Sequence, residues 1–435
     1  MARWSLEQVR GLAPDDSSLA AARKLSSPGP WSETGSTDLL VWGNCQGSGK
    51  KPYQVSVDLS GPAFRCSCPS RKFPCKHALA LLMLWAAGED GVGAADRAAD
   101  FAGEWAAGRS ERAAKARTPR EAPADPEARA KRVEQRIALM DAGIEQFAGW
   151  LRDLVRGGLA AAHERPYSWW DGAAARLVDA QCPRLAESVR DMASAVHRGD
   201  DWADVLLDGV GRWWLIVHTW QRRDALTPDT LADLRAALGW SYAAADLPDG
   251  DRVSGTWLVL GAHRSDDGRL RQQRTWLRET TTGELLQVLD FAAGQGVLVA
   301  PQLTGSLVTA TLARYPGSAP KRARFVETAD TPVQPAAALP PGSTLSAAVA
   351  AGAAAAATNP FVDLHPVVLS GAVLTAQPAP QIVDADGCRL PLTEDAEVWT
   401  ALAVTGGHPV DVFGELDGPA FRPLAATTPA GVVPV

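Results

Sequence analysis

The chain has 435 residues, long enough for two or three domains, and its 46% apolar and 21% charged residues are an ordinary globular composition. A net charge of −7 argues against a protein that coats nucleic acid with its whole surface, so any such contact has to be local. No apolar run reaches the length of a membrane span, and Met1-Ala2-Arg3-Trp4-Ser5-Leu6-Glu7-Gln8 lacks the charged-then-apolar pattern of a signal peptide; the expected location is the cytoplasm.

The chain opens with a helical pattern from Ser5 to Leu12, with Ser5 as the candidate N-cap and Leu6, Val9 and Leu12 on one face. A second short segment, Leu19 to Leu25, is stopped by Ser26-Ser27-Pro28-Gly29-Pro30. Leu39 to Trp42 reads as a strand, Gly43 to Lys50 as a glycine-rich connection and Tyr53 to Leu59 as the hairpin partner. Gly47-Ser48-Gly49-Lys50 is not a phosphate loop: the spacing needs a glycine where Asn44 stands, and Lys51 replaces the Ser or Thr that would hold magnesium. Cys45 reads as a small buried core residue rather than a spare ligand.

Four soft ligands then fall within a dozen positions as Cys66-x-Cys68-x6-Cys75-x-His77, while Cys45, Cys182 and Cys388 are solitary. Residues two apart on an extended strand project to one face, so Cys66 and Cys68 can converge on one ion. Two residues two apart inside a helix diverge, which puts Cys75 at the turn into a helix and His77 in its first turn, with Pro74 as the helix-start residue. Three thiolates and an imidazole fill four positions and leave none for water, the closed arrangement of one structural zinc ion. Arg65, Arg71, Lys72 and Lys76 surround the quartet and favour its thiolate forms. A redox pair or a disulfide is the competing interpretation, and a disulfide framework would need an export signal and an oxidising compartment. The following helix, Ala78 to Trp85, is apolar on every face and has to be covered, with the first 45 residues as the nearest candidate; the predicted domain runs from 1 to 92.

With Tyr53 to Leu59 before it and Ala78 to Trp85 after it, this motif resembles the SWIM zinc finger, over about 35 residues. Trp42 to Tyr53 and Ala174 to Gln181 also look like stretches of bacterial SWIM-containing proteins of unassigned activity. The resemblance implies a DNA-binding or protein-interaction module. It also implies, as partners of the bacterial group, a MoxR-type AAA+ ATPase and a von Willebrand A-type protein.

Residues 93–131, charged, alanine-rich and centred on Arg117-Thr118-Pro119-Arg120-Glu121-Ala122-Pro123-Ala124-Asp125-Pro126, read as a linker that tethers the finger. Val133, Ile137, Met140, Ile144, Phe147, Leu151 and Leu154 then recur at spacings 4, 3, 4, 3, 4, 3. Such a stripe can seam a dimeric coiled coil, but it is short and more helices follow: Gly172 to Ala180, Leu185 to Arg198, Trp202 to Arg222 and Pro228 to Leu238. A helical bundle over 132–245 is the preferred reading, with Trp169, Trp170, Trp202, Trp213, Trp214 and Trp220 as core, and His163, His197 and His218 as surface or core histidines without metal spacing.

After the turn signal Pro248-Asp249-Gly250-Asp251 the period becomes alternating. Strands are predicted at Val253 to Ala262, Gln273 to Thr280, Leu285 to Phe291, Leu307 to Ala313 and Arg322 to Val326, with Asp266-Asp267-Gly268 and Thr282-Gly283 as hairpin turns. A loop over Thr328 to Gly342 precedes an alanine helix from Ser343 to Thr358. Short strands follow at Val367 to Leu369, Gln381 to Asp384, Arg389 to Leu392, Ala401 to Val404 and Val410 to Glu415. The expected whole is an α+β multidomain chain: a ββα finger domain, a central bundle and a β-rich domain over 250–435 with an inserted helix.

No catalytic arrangement stands out. Asp384, Asp386 and Asp395 sit among turn signals, and neither a G-x-S-x-G elbow nor an H-E-x-x-H helix occurs, so a non-enzymatic protein is expected. Lys50, Lys51, Arg65, Arg71, Lys72 and Lys76 form a local basic footprint against the single Asp58, suited to nucleic-acid phosphates, and an exposed Phe73 would add stacking. The other interpretation of these charges is that they balance the thiolates, leaving the chain as a protein-interaction adaptor.

Overall fold

The computed structural model describes residues 3–47, 51–70, 72–117, 126–198, 201–242, 247, 251–266, 270–293, 298, 302–329, 331 and 333–435. Its first unit starts with α1 (Leu6–Gly11), where the Ser5 hydroxyl accepts from the Gln8 N–H and the Gln8 side chain accepts from the Ser5 N–H, a complete capping box. Helix α2 (Asp16–Arg23) is capped by Asp15. Four antiparallel strands follow in sequence order, β1 (Trp31–Ser36), β2 (Leu40–Cys45), β3 (Tyr53–Asp58) and β4 (Ala63–Cys66). Helix α3 (Lys76–Ala86) crosses them, and every residue from His77 to Trp85 is buried. A helix apolar on all sides needs cover on all sides; α1 and α2 supply it opposite the sheet.

The stretch read as a linker is partly helical. α4 (Asp100–Arg117) sets Ala102, with Phe101 and Trp105 packed around it, against Leu40 and Trp42, and Arg109 pairs with Asp58 of β3. The proline-rich centre, 118–125, lies outside the described residues.

Six helices come next: α5 (Pro126–Gly157), α6 (Leu159–His163), α7 (Tyr167–Asp179), α8 (Pro183–Ala195), α9 (Trp202–Gln221) and α10 (Pro228–Leu238). Met140, Ile144, Phe147, Leu151 and Leu154 of α5 are buried with Trp170, Leu177, Leu185, Val189, Trp213 and Trp220 in one core. The stripe is thus consumed within the chain. α5 meets the end of α7 closely enough that a Cβ on Gly143 would stand 2.1 Å from the Ala180 Cβ. Two of the buried indoles find acceptors, Trp213 on Ser188 Oγ at 2.9 Å and Trp220 on Asp141 Oδ1 at 2.7 Å, whereas the Trp170 Nε1 has none. Trp214 is exposed on α9, contrary to the core expectation.

β5 (Arg252–Asp266), β6 (Leu270–Glu279), β7 (Leu285–Ala293), β8 (Ser306–Arg314) and β9 (Lys321–Thr328) close into a five-stranded barrel, through antiparallel pairs except for a parallel β7–β9 pair, and β9 returns to β8. β10 (Gln334–Pro335) pairs with β8. A second sheet runs in the order β13 (Arg389–Pro391), β12 (Gln381–Val383), β11 (Leu364–Thr375), β14 (Val410–Asp417), β15 (Ala420–Thr428) and β16 (Gly431–Pro434), with α11 (Leu345–Thr358) and α12 (Val398–Thr405) packed on it. The strand expected at Ala401 to Val404 is α12. So short an apolar run does not distinguish the two periods; the burial of Ala401 and Thr405, four apart, and the left-handed Gly406 (φ 64°) that ends it make it a helix. The predicted turns at 248–250 and 267–268 fall outside the described residues.

Alternation in β5 joins the units. Trp257 and Val259 point into a core shared with Val9, Leu79 and Leu81, whereas Leu258 and Leu260 face Phe413 and Leu424 of the second sheet. The Gln8 side-chain amide donates to the Thr304 carbonyl at 3.3 Å and Arg264 Nη1 to that of Ala13 at 3.2 Å. The finger unit is packed on the barrel, not merely tethered, because the last apolar surface of α1 and α3 is buried there. Among the described residues no helix is long and apolar enough to cross a membrane.

Candidate metal centre

β3 and β4 form the hairpin that delivers the first two ligands. Cys66 ends β4, and Cys68 lies beyond it, not on the strand as expected. Pairing nevertheless runs on through Ser67, whose N–H donates to the Gln54 carbonyl at 3.0 Å while its Oγ accepts from the Gln54 N–H at 3.0 Å. Anchored between them, Ser67 leaves both cysteines facing the same side. Cys75 is the N-cap of α3, with no side-chain hydrogen bond to the helix, and His77 is the second residue of the helix. An N-cap side chain ordinarily turns back onto the helix N–H groups; here the sulfur turns toward its fellow ligands instead.

The donor atoms of Cys66, Cys68, Cys75 and His77 all lie within 4.8 Å of one another, and Cys66 Sγ is 3.8 Å from His77 Nδ1. A zinc tetrahedron with bonds of about 2.0–2.3 Å sets its donors about 3.5–3.8 Å apart, so the quartet is near closed geometry before any adjustment. Cys75 and His77 are buried and Cys66 and Cys68 half-buried. The ring of Tyr53 packs on His77 with centroids 4.9 Å apart and fixes the imidazole plane.

Among the thiols, the first negative charge belongs to Cys75. A hydrogen bond from Cys66 is the main cause; with His77 and Cys68 beside it, it outweighs burial and pulls Cys75 down to about 4. Cys66 moves up, because it donates that bond and is buried, and burial likewise raises Cys68. Further thiolates this close repel one another unless a cation sits among them. The donor set therefore fits one Zn²⁺, with no protein-free position for a reacting water.

The basic residues differ in their freedom. Lys72 Nζ lies 2.8 Å from Asp15 Oδ2 and donates to Ser17 Oγ at 2.9 Å, so this cation clamps the ligand loop to the start of α2. Arg65 is exposed, with Nη1 donating to the Phe101 carbonyl at 3.5 Å. Lys51 and Lys76 are exposed; Lys50 and Arg71 lie outside the described residues. Phe73 is 38% exposed and rests edge-on against Phe64. Neither Tyr53's contact with His77 nor Asp15's with Lys72 carries a sequence signal, since both are made by the fold. Cys45 is fully buried at the end of β2, opposite Tyr53, and is not among the four donors.

Asp384 has the turn role read from sequence: its carboxylate accepts from the N–H groups of Asp386, Cys388 and Leu345, the last opening α11. Asp395 receives Arg422 at the edge of a charged cluster between the barrel and the second sheet.

Comparison with known families agrees with this geometry. The model of the SWIM zinc finger matches residues 53–85, and that of the SWIM-associated four-helix bundle domain matches residues 135–238. The chain thus carries a SWIM finger holding the quartet and a SWIM-associated bundle made by α5 to α10. No curated protein and no solved structure matches the chain.

Proposed function

We propose that the finger is a nucleic-acid-binding module, acting on DNA, whose zinc holds the fold and performs no chemistry. What supports this is the exposure of Lys51, Arg65 and Lys76, which belong to or adjoin the elements carrying the ligands, together with four donors that leave no open coordination position. Phosphate contact needs solvent-facing cations on a rigid frame, and the anchored Ser67 and the buried α3 supply the frame. Phe73, half-exposed beside them, offers a face for a base. Lys72 contributes by rigidity, not by contact, because Asp15 and Ser17 hold it. No residue is assigned a catalytic role.

The test is fluorescence anisotropy with labelled single- and double-stranded DNA. If Lys51, Arg65 and Lys76 each neutralise one phosphate, affinity falls about 40-fold between about 50 and 200 mM salt. The K51A/R65A/K76A variant removes most of that dependence. Absence of binding at both salts, or binding indifferent to the three substitutions, overturns the assignment.

A second reading, an adaptor in a cytoplasmic assembly, is favoured by one observation. Leu207, Trp214 and Leu215 form an exposed apolar stripe on α9, along which Gly211 adds no side chain. A MoxR-type ATPase or a von Willebrand A-type protein is the partner class that the bacterial resemblance implies. Pull-down of such a partner by the parent but not by L207S/L215S would favour it.

A further inference from the structure

Away from the finger, four arginines from four elements gather in two neighbouring pairs near the place where the bundle abuts the barrel. Arg136 of α5 and Arg235 of α10 both lie over the indole of Trp240, their guanidinium carbons 4.1 and 4.8 Å from the ring centre. Arg322 of β9 lies over Tyr315 at 5.5 Å. Arg184, exposed in the first turn of α8, is close enough to act on Arg322 electrostatically. The backbone draws these groups together: Arg136 Nη2 donates to the Gly239 carbonyl at 3.5 Å, and a Cβ on Gly239 would stand 2.9 Å from the Arg184 nitrogen. Asp233, which accepts from the Ser318 N–H and hydroxyl, and the Lys321–Asp229 pair at 3.9 Å hold α10 to the connection between β8 and β9.

These cations are under-compensated. Among the described residues no carboxylate forms an ion pair with Arg136, Arg235 or Arg322, and the acid acting on the group is Glu187, one turn along from Arg184. The Nε atoms of Arg136, Arg235 and Arg322 are all buried without an acceptor. Burial, and then the neighbouring arginine in each case, pull the Arg136 and Arg322 guanidinium groups down. The aromatic faces offset part of the charge, but an indole shared by two guanidinium groups has little room for a stacking base. Among the described residues, what the cluster lacks is a matching anion. Planar forks from several directions suit the oxygens of phosphate, which each can bind bidentately.

We propose that Arg136, Arg184, Arg235 and Arg322 form a binding site, at the junction of bundle and barrel, for a ligand bearing adjacent phosphoryl groups. The site is independent of the finger's function. Its ligand is a small phosphorylated molecule or the backbone of a nucleic-acid strand, two sources with the same recognition chemistry.

The zinc-loaded full chain is titrated calorimetrically with inorganic pyrophosphate and with a short oligothymidylate, and its thermal unfolding is followed with each. R136Q/R235Q binds the active probe at least about tenfold more weakly and loses the probe-induced rise in Tm. R136K/R235K, which keeps the charges without the forks, falls between. If the glutamine pair fails to fold, R322Q on the barrel side gives the same reading. Pyrophosphate binding marks a small ligand; binding of the oligonucleotide alone, retained by K51A/R65A/K76A but lost in R136Q/R235Q, marks a strand. Failure of both probes to bind, or equal binding by R136Q/R235Q and the parent, overturns the site.

Discussion

Glu415 offers the sharpest stability prediction, because it is fully buried and holds two arginines from different strands. Arg274 of β6 donates to it through Nε at 2.5 Å and Nη2 at 2.7 Å, Arg422 of β15 through Nη1 at 3.1 Å, and the Trp276 indole through Nε1 at 2.6 Å. The barrel and the second sheet are joined at this carboxylate. Removing it in E415A leaves two guanidinium groups with side-chain exposures of only 7% and 12% facing no counter-charge at that point. Stranding a buried charge costs about 3–5 kcal/mol. Arg422 keeps Asp395 and Asp417, so the lower end of that range applies, with Arg274 bearing most of it. A chain with several cooperative units is poorly described by one unfolding midpoint, and the suitable assay is hydrogen exchange resolved by peptide. Protection in β6, β14 and β15 should fall by about two powers of ten, while the bundle keeps its own. E415L/R274M, which replaces the pair by apolar groups, should recover part of the loss. Unchanged protection in E415A would refute the reasoning. The same group gives a pH dependence. Burial pushes the Glu415 carboxyl up, but the hydrogen bonds and charge of Arg274, then Trp276 and Arg422, more than offset this and hold it below its ordinary value. A depressed carboxyl stabilises the fold above the unfolded value of about 4.3, and that contribution is lost as pH falls through the lower folded value. Acid below the ordinary carboxylate range should therefore weaken this junction.

Cys75→Ser should abolish stoichiometric zinc and strip exchange protection from α3, β3 and β4, with the α5 to α10 bundle spared; since the finger core continues into the barrel, β5 should lose protection too. An N-terminal unit equally resistant to protease with and without zinc would contradict this. Zinc affinity should weaken as pH falls, because protons compete for the thiolates, and Cys66 and Cys68, whose thiols lie high, make metal binding release protons near neutrality; a competition titration with a chromophoric chelator at stepped pH measures it. Gly143→Val should destabilise the bundle by about 1–3 kcal/mol, since the new side chain meets Ala180 and α5 has to move away; local exchange in α5 and α7 that matches the parent would remove that packing argument.

Strong periodicity and ligand chemistry were legible without coordinates. The α5 stripe announced a buried seam, and the quartet of soft ligands announced both the metal and the helix start at Cys75. α4 escaped because its alanines and charges carry almost no amphipathic signal, and what binds it to the sheet is a small apolar patch around Phe101, Ala102 and Trp105 and the Arg109–Asp58 pair. β1, Trp-Ser-Glu-Thr-Gly-Ser, is polar and becomes a strand because β2 lies beside it to pair with. Closure of the barrel by the parallel β7–β9 pair is a long-range event that no local pattern encodes. The basic footprint was visible as composition, but which cation is held could not be: Lys72 meets Asp15 from 57 residues away, whereas Lys51 and Lys76 face solvent.

A closed centre of three sulfurs and one imidazole nitrogen is tested most directly by zinc-edge X-ray absorption of the purified protein. Such a centre predicts one zinc per chain, with three sulfurs at about 2.3 Å and one nitrogen at about 2.0–2.1 Å. A shell in which oxygen replaces any of the four donors, or a spectrum unchanged by Cys75→Ser, would contradict it.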